Sequence, residues 1–177
     1  MSAKHQKFTV KIDKNLSPSE RISIGNELIS KLKKRTDQGL GVSGSQNSNG
    51  TYSSTYKFPS YSKEYIDSLP FKIAGKSAGK IDLKLTGDML TDIEVLNHSD
   101  GEITIGFREG TVENAKAEGN NIGSYGKPNG DPGKARKFLG VTSQELTETL
   151  EKYKNNDEVE QIINEIDIFD NIDLEFL

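Results

Sequence analysis

The chain contains no cysteine and only two histidines. The first absence excludes a disulfide framework and thiol chemistry. The second leaves His5 and His98 far apart in the sequence, without an HExxH pattern or a third ligand nearby, so metal catalysis and a Ser-His-Asp triad both lack their parts. Long apolar runs are missing too. The opening Met-Ser-Ala-Lys-His-Gln-Lys does not read as a signal peptide, and no stretch reaches the length that crosses a bilayer. The expectation is a protein made and kept in a cytosol, with no membrane partner. Hydrophobic residues make up 32% of the 177, low for a globular domain, against 17 glycines and many Ser and Asn. One domain with a thin core and long loops follows, because the length is short for two.

Charge is present but unevenly placed. From Lys154 onward, Asp157, Glu158, Glu160, Glu165, Asp167, Asp170, Asp173 and Glu175 face a single base. Removing that −7 from the net −4 leaves the first 153 residues at +3. A mildly basic body with an acidic tail predicts that the tail meets a complementary surface, its own or a neighbour's, with a solvated, partly disordered end as the plainer alternative.

The apolar periodicity predicts the elements. Phe8, Val10 and Ile12 alternate with Lys7, Thr9 and Lys11 as in a half-buried strand. Ser17-Pro18-Ser19-Glu20 is a capping box with proline at the first helical position, opening a helix from Pro18 to about Arg35. Its basic end, Lys31 to Arg35, suits the negative pole of the helix dipole and is the simplest reading of that cluster, ahead of contact with DNA phosphates. Residues 39–54, dominated by Gly, Ser and Asn, read as a disordered-looking loop. Residues 60–65 predict a brief helix ended by Pro70, with tyrosine rings packed on the domain. Ile81, Leu83 and Leu85 predict a strand running to Thr86-Gly87. Ile93, Val95 and Leu96 lead through Asp100-Gly101 to Ile103, Ile105 and Phe107, a hairpin signal. A short helix over Thr111–Glu118, a loop over Gly119–Gly133, and a second capped helix from Thr142-Ser143-Gln144-Glu145 complete the body. Asn156–Ile166 predicts one more short helix, and Ile172, Leu174 and Phe176 alternate with Asp173 and Glu175 like a strand.

Two phosphate-like motifs fail on context. Gly39-Leu40-Gly41-Val42-Ser43-Gly44 has the dinucleotide spacing but follows a helix instead of a strand. Gly75-Lys76-Ser77 lacks the earlier glycine, with Pro70 in its place. Asp92 and Glu94 form a carboxylate pair with no pocket signal around it. No catalytic, cofactor or metal residues are expected, and the chain is not read as an enzyme.

One ordered set of motifs is more specific. Asp82-Leu83-Lys84-Leu85-Thr86-Gly87-Asp88-Met89-Leu90 is followed by Ile103-Thr104-Ile105-Gly106-Phe107, a small-residue segment at Ala115–Gly119, and Arg136-Lys137-Phe138-Leu139-Gly140-Val141-Thr142. This resembles the virion-morphogenesis and tail-completion family of Mu-like bacteriophages and the related neck or minor-tail proteins, over roughly Leu28 to Tyr153. The resemblance implies a hexameric ring of identical subunits at the head–tail junction or the tail's upper end. Its partners would be the tail tube, sheath or portal-side connector, with DNA passing through the channel without sequence-specific binding. The virion is the implied location, after assembly in the host bacterial cytoplasm. The alternatives are a head-completion or minor tail protein recruited as a monomer, and a phage-encoded binding module outside the virion.

The same residues make physical sense without an active site. Thr86 and Gly87 let the chain turn sharply, and Met89 and Leu90 follow as apolar anchors. Arg136 can pair with a carboxylate, while Phe138, Leu139 and Gly140 can staple the last helix to the sheet, contributing roughly 1.5–3 kcal/mol per buried large side chain. Ile172, Leu174 and Phe176 can add to a sheet edge on an adjacent subunit. The expected fold is α+β: a mainly antiparallel sheet with helices packed on one face, long loops, and a C-terminal extended arm. Residues 1–153 form the domain and 154–177 the acidic helix and strand arm.

Overall fold

The computed structural model describes residues 3–83, 88–99, 101–124 and 131–153. Five strands and six α-helices appear there. Strand β1 (Lys7–Lys11) leads to helix α1 (Pro18–Asp37), then β2 (Leu40–Gln46) and β3 (Tyr52–Lys57). Three short helices follow, α2 (Lys63–Ile66), α3 (Leu69–Ile73) and α4 (Asp88–Thr91), then β4 (Glu94–Asn97), β5 (Glu102–Gly106) and α5 (Val112–Ile122). A 3-10 turn at Pro132–Lys134 precedes the last helix, α6, at residues 143–153.

The class is α+β with antiparallel pairing. One sheet has the order β1-β5-β4, and β2 and β3 form a second. Phe8 faces Ile105 and Val10 faces Ile103 across β1 and β5, placing alternate apolar side chains in the core. Helix α1 packs against β2, β4 and β5, burying Leu28, Ile29 and Leu32 of the apolar stripe that Ile22, Leu28, Ile29 and Leu32 predict, with Ile24 in the core and Ile22 exposed in place of the expected burial. The predicted hairpin at 93–107 is present as β4 and β5, with an irregularity between Val95 and Asn97.

Both capping boxes form. The Ser17 hydroxyl accepts from the Glu20 amide at 3.3 Å, and the Glu20 carboxylate accepts from the Ser17 amide at 2.6 Å. These bonds, the Ser17 hydroxyl first, hold the Glu20 carboxyl below its ordinary range. Its stabilising share is therefore present above the unfolded-state value and is lost as pH falls through the lower folded value. Replacing Ser17 with alanine is expected to lower stability by about 1 kcal/mol. The check is urea unfolding at neutral and acidic pH, where the difference between wild type and S17A should shrink on acidification.

Several expectations are corrected. Residues 39–54 are not a loop: they hold β2, the turn and the first half of β3. Composition alone undercounts this segment because its order rests on backbone and polar side-chain bonds more than on apolar burial. Asn47 N–H donates to Thr51 O at 2.7 Å, Thr51 Oγ1 donates to Asn49 Oδ1 at 2.7 Å, and Lys11 N–H of β1 donates to Asn49 O at 2.9 Å. Gly50 sits at φ +85°, where a Cβ would lie 1.9 Å from the Thr9 carbonyl oxygen, so only glycine lets the turn seat on β1. Pro70 does not end a helix; it lies in the first turn of α3, capped by Ser68. The described part of the expected strand, residues 81–83, joins no sheet, and Leu83 adopts φ +56°. Helix α5 runs on to Ile122, so the expected loop from Gly119 begins later.

Candidate functional site

The motif-bearing residues converge on a strap, residues 135–142, that crosses the β2–β3 hairpin and leads into α6. Both of the hairpin's outer edges hold it. Val42 N–H donates to Lys137 O at 2.8 Å, and Tyr52 N–H donates to Val141 O at 2.9 Å. The Tyr56 hydroxyl donates to Ala135 O at 2.9 Å and accepts from Lys137 N–H at 2.8 Å. A Cβ on Gly41 would lie 2.5 Å from the Lys137 carbonyl oxygen. The glycine-rich run that has dinucleotide spacing is thus a strand whose glycine lets the strap come close.

Arg136 is 6% exposed. Its guanidinium donates to Pro59 O at 3.3 Å and Ser60 O at 3.2 Å and lies over the Tyr61 ring, 4.9 Å from its centre. Carbonyls and an aromatic face are thus among its partners, where the sequence suggested a carboxylate. Tyr61, Tyr65 and Phe71 pack on one another with ring centres 5.2–5.6 Å apart, so the aromatic segment closes over the strap's start. Lys76 of the failed phosphate motif pairs with Asp82 at 3.0 Å.

Phe138 is fully buried, edge-on to Phe107 at 6.3 Å, and Leu139 is also buried. Met89 and Leu90 are core residues at 6% and 3% exposed, with Met89 Sδ facing the Asn120 amide at 3.8 Å. Thr86, Gly87, Ile172, Leu174 and Phe176, and the arm at 154–177, lie outside the described residues.

Arg35 is the residue whose role the sequence reading missed. It does not serve the helix dipole from the surface. It is 5% exposed, ion-paired with Glu145 of α6, and donates to the carbonyls of Phe138 and Gly140 at 2.8 Å each. Burial pulls its pKa down, while the Glu145 charge and hydrogen bond oppose that. A signal existed: Leu28, Leu32 and Arg35 lie at helical spacing on the buried stripe, which marks an inward charge. Lys31, the other end of the basic cluster, pairs with Glu148 at 2.7 Å. Glu145 also serves as the third helical residue of the α6 capping box, accepting from Thr142 N–H at 2.8 Å. Helix, strap and cap therefore share one charged junction.

Beside the strap runs a cleft of about 600 Å³ between β1 and the hairpin. Leu139 and the exposed Ile122 supply apolar walls, while Lys7, Lys11 and Lys137 supply positive charge, with Glu102 the acid among its lining. Lys137 Nζ lies 4.5 Å from the Tyr52 ring centre. The cleft follows the outer edge of β1. Phe107 N–H donates to Gln6 O and Ile12 N–H to Gly101 O, so even-numbered residues of β1 bond toward β5. Odd-numbered ones, Lys7, Thr9 and Lys11, turn their backbone groups outward; among the described residues the turn at Asn49 and Gly50 covers the Lys11 amide and the Thr9 carbonyl, and the Lys7 groups and the Thr9 amide lie beyond it. Among the described residues no group of three His, Cys, Asp or Glu side chains could hold a metal ion, and no helix is long and apolar enough to cross a membrane. Comparison with family models, curated proteins and solved structures returns no match.

Proposed function

We propose that this chain is a structural subunit of a tailed-phage neck or tail terminator ring, which joins tail to head and caps the tail tube. The supporting observation is the strap. The residues that carry the resemblance, Arg136 to Thr142, are used to lock α1, the hairpin and α6 together. A motif whose side chains are buried for framework bonds suits a mechanical part, which must transmit load and present edges without chemistry of its own. The work of such a ring is to match the tube or connector, stop tube growth and leave a channel for DNA.

The test is the solution mass of the purified chain by light scattering, with negative-stain images of the eluted species. Hexameric rings are expected, and deleting Asn171–Leu177 should shift the mass toward smaller species. A monomer at every concentration would overturn the self-assembling ring.

A further inference from the structure

We infer that the β1 cleft is the receiving site for residues 171–177 of a neighbouring copy, which add there as a short strand; this rests on the ring reading above. Three observations meet at this place. The outward backbone groups of Lys7 and the amide of Thr9 are strand-pairing groups at a sheet edge, the arrangement that accepts an added strand. The turn at Asn49 and Gly50 closes one end of that edge, which limits the insert to a few residues and sets its register.

The chemistry of the cleft matches the proposed occupant on both faces. Asn171-Ile172-Asp173-Leu174-Glu175-Phe176-Leu177 alternates apolar with acidic residues. A strand of that pattern lays Ile172, Leu174 and Phe176 toward Leu139 and Ile122, and turns Asp173 and Glu175 toward Lys7, Lys11 and Lys137. The positive rim and the −7 carried beyond residue 153 are complementary, which favours capture and register.

The direction of α6 favours a neighbour as donor, and the chain beyond it is long enough to span to one. Glu145 pairs with Arg35, Glu148 with Lys31 and Lys152 with Glu27, so α6 runs antiparallel to α1. It begins beside the hairpin turn, where Ser143 meets Asn47 and Thr51, and carries the chain roughly 15 Å away from its own cleft. About 17 residues then separate α6 from residue 171, an extended reach on the order of 55 Å. That exceeds the width of a domain this size, about 40 Å.

The chain lacks cysteine, so introduced thiols report cleanly. Full-length Lys7→Cys and full-length Asp173→Cys proteins are mixed, oxidised and run on a non-reducing gel. A crosslinked dimer containing one of each is expected, and adding Lys11→Glu to the first should cut its yield about fivefold at low salt. A Lys7→Cys, Asp173→Cys double variant that closes only within single chains would overturn delivery by a neighbour. Rings of normal mass without any crosslink would overturn the cleft assignment while leaving the ring reading intact, and monomers would sink the ring itself.

Discussion

Replacing Arg35 with methionine should lower the free energy of unfolding by about 3 kcal/mol, the low end of the cost of breaking a buried pair, since Glu145 is 15% exposed and keeps its bond from Thr142 N–H. Methionine preserves the apolar stem but strands the Glu145 carboxylate and the carbonyls of Phe138 and Gly140. The measurement is urea unfolding at neutral pH, read as a drop in midpoint at constant slope. Adding Glu145→Gln to R35M should recover part of the loss, since the orphaned charge is then gone. A double-mutant cycle that gave additive effects would show that the two groups do not act as a pair. Had Arg35 been a surface residue at a helix end, as its place in a basic cluster suggests, the change would be worth no more than about 1 kcal/mol.

The second large effect is expected at Phe138. Truncation to alanine removes a ring that is fully buried and edge-on to Phe107, and should cost about 3–5 kcal/mol. For a chain of this length that lowers the thermal midpoint by about 10 °C. Phe138→Leu should restore roughly half of it. The same experiment separates two roles left open by the sequence, a fold contact and a subunit contact. Because the burial is complete within one chain, molecules of F138A that remain folded should assemble like wild type. A variant with an unchanged midpoint but smaller solution mass would instead place Phe138 at an interface.

Much of the architecture was legible because local rules and the fold agree. The Ser17–Glu20 and Thr142–Glu145 caps start helices where their spacing says, and the alternation through Phe8 and Val10 and through Ile103 and Ile105 defines a strand pair facing the core. Residues 39–54 failed for an identifiable reason. Gly, Ser and Asn lower apolar burial, while the Asn49-Gly50 pair is a turn signal that composition does not register. Pro70 sits in a helix's first turn instead of ending one, since proline there loses no hydrogen bond. At the strap, Phe138 and Leu139 were expected to be buried and are, but Arg136 has carbonyls and a tyrosine ring among its partners, which no spacing along the chain could reveal.

By itself, then, the sequence determined the α+β class, the starts of α1, α5 and α6, the hairpin at residues 94–106 and the sign of charge in each part, because these depend on neighbours within a few positions. Tertiary structure alone decided which cation is buried, what the glycines of β2 approach, and that Lys7, Lys11 and Lys137 border one cleft. Those facts join residues about 100 positions apart, as Arg35 and Glu145 are. Such contacts are set by the closing of the fold around the strap, and a periodic pattern carries no information about which distant segment will lie across it.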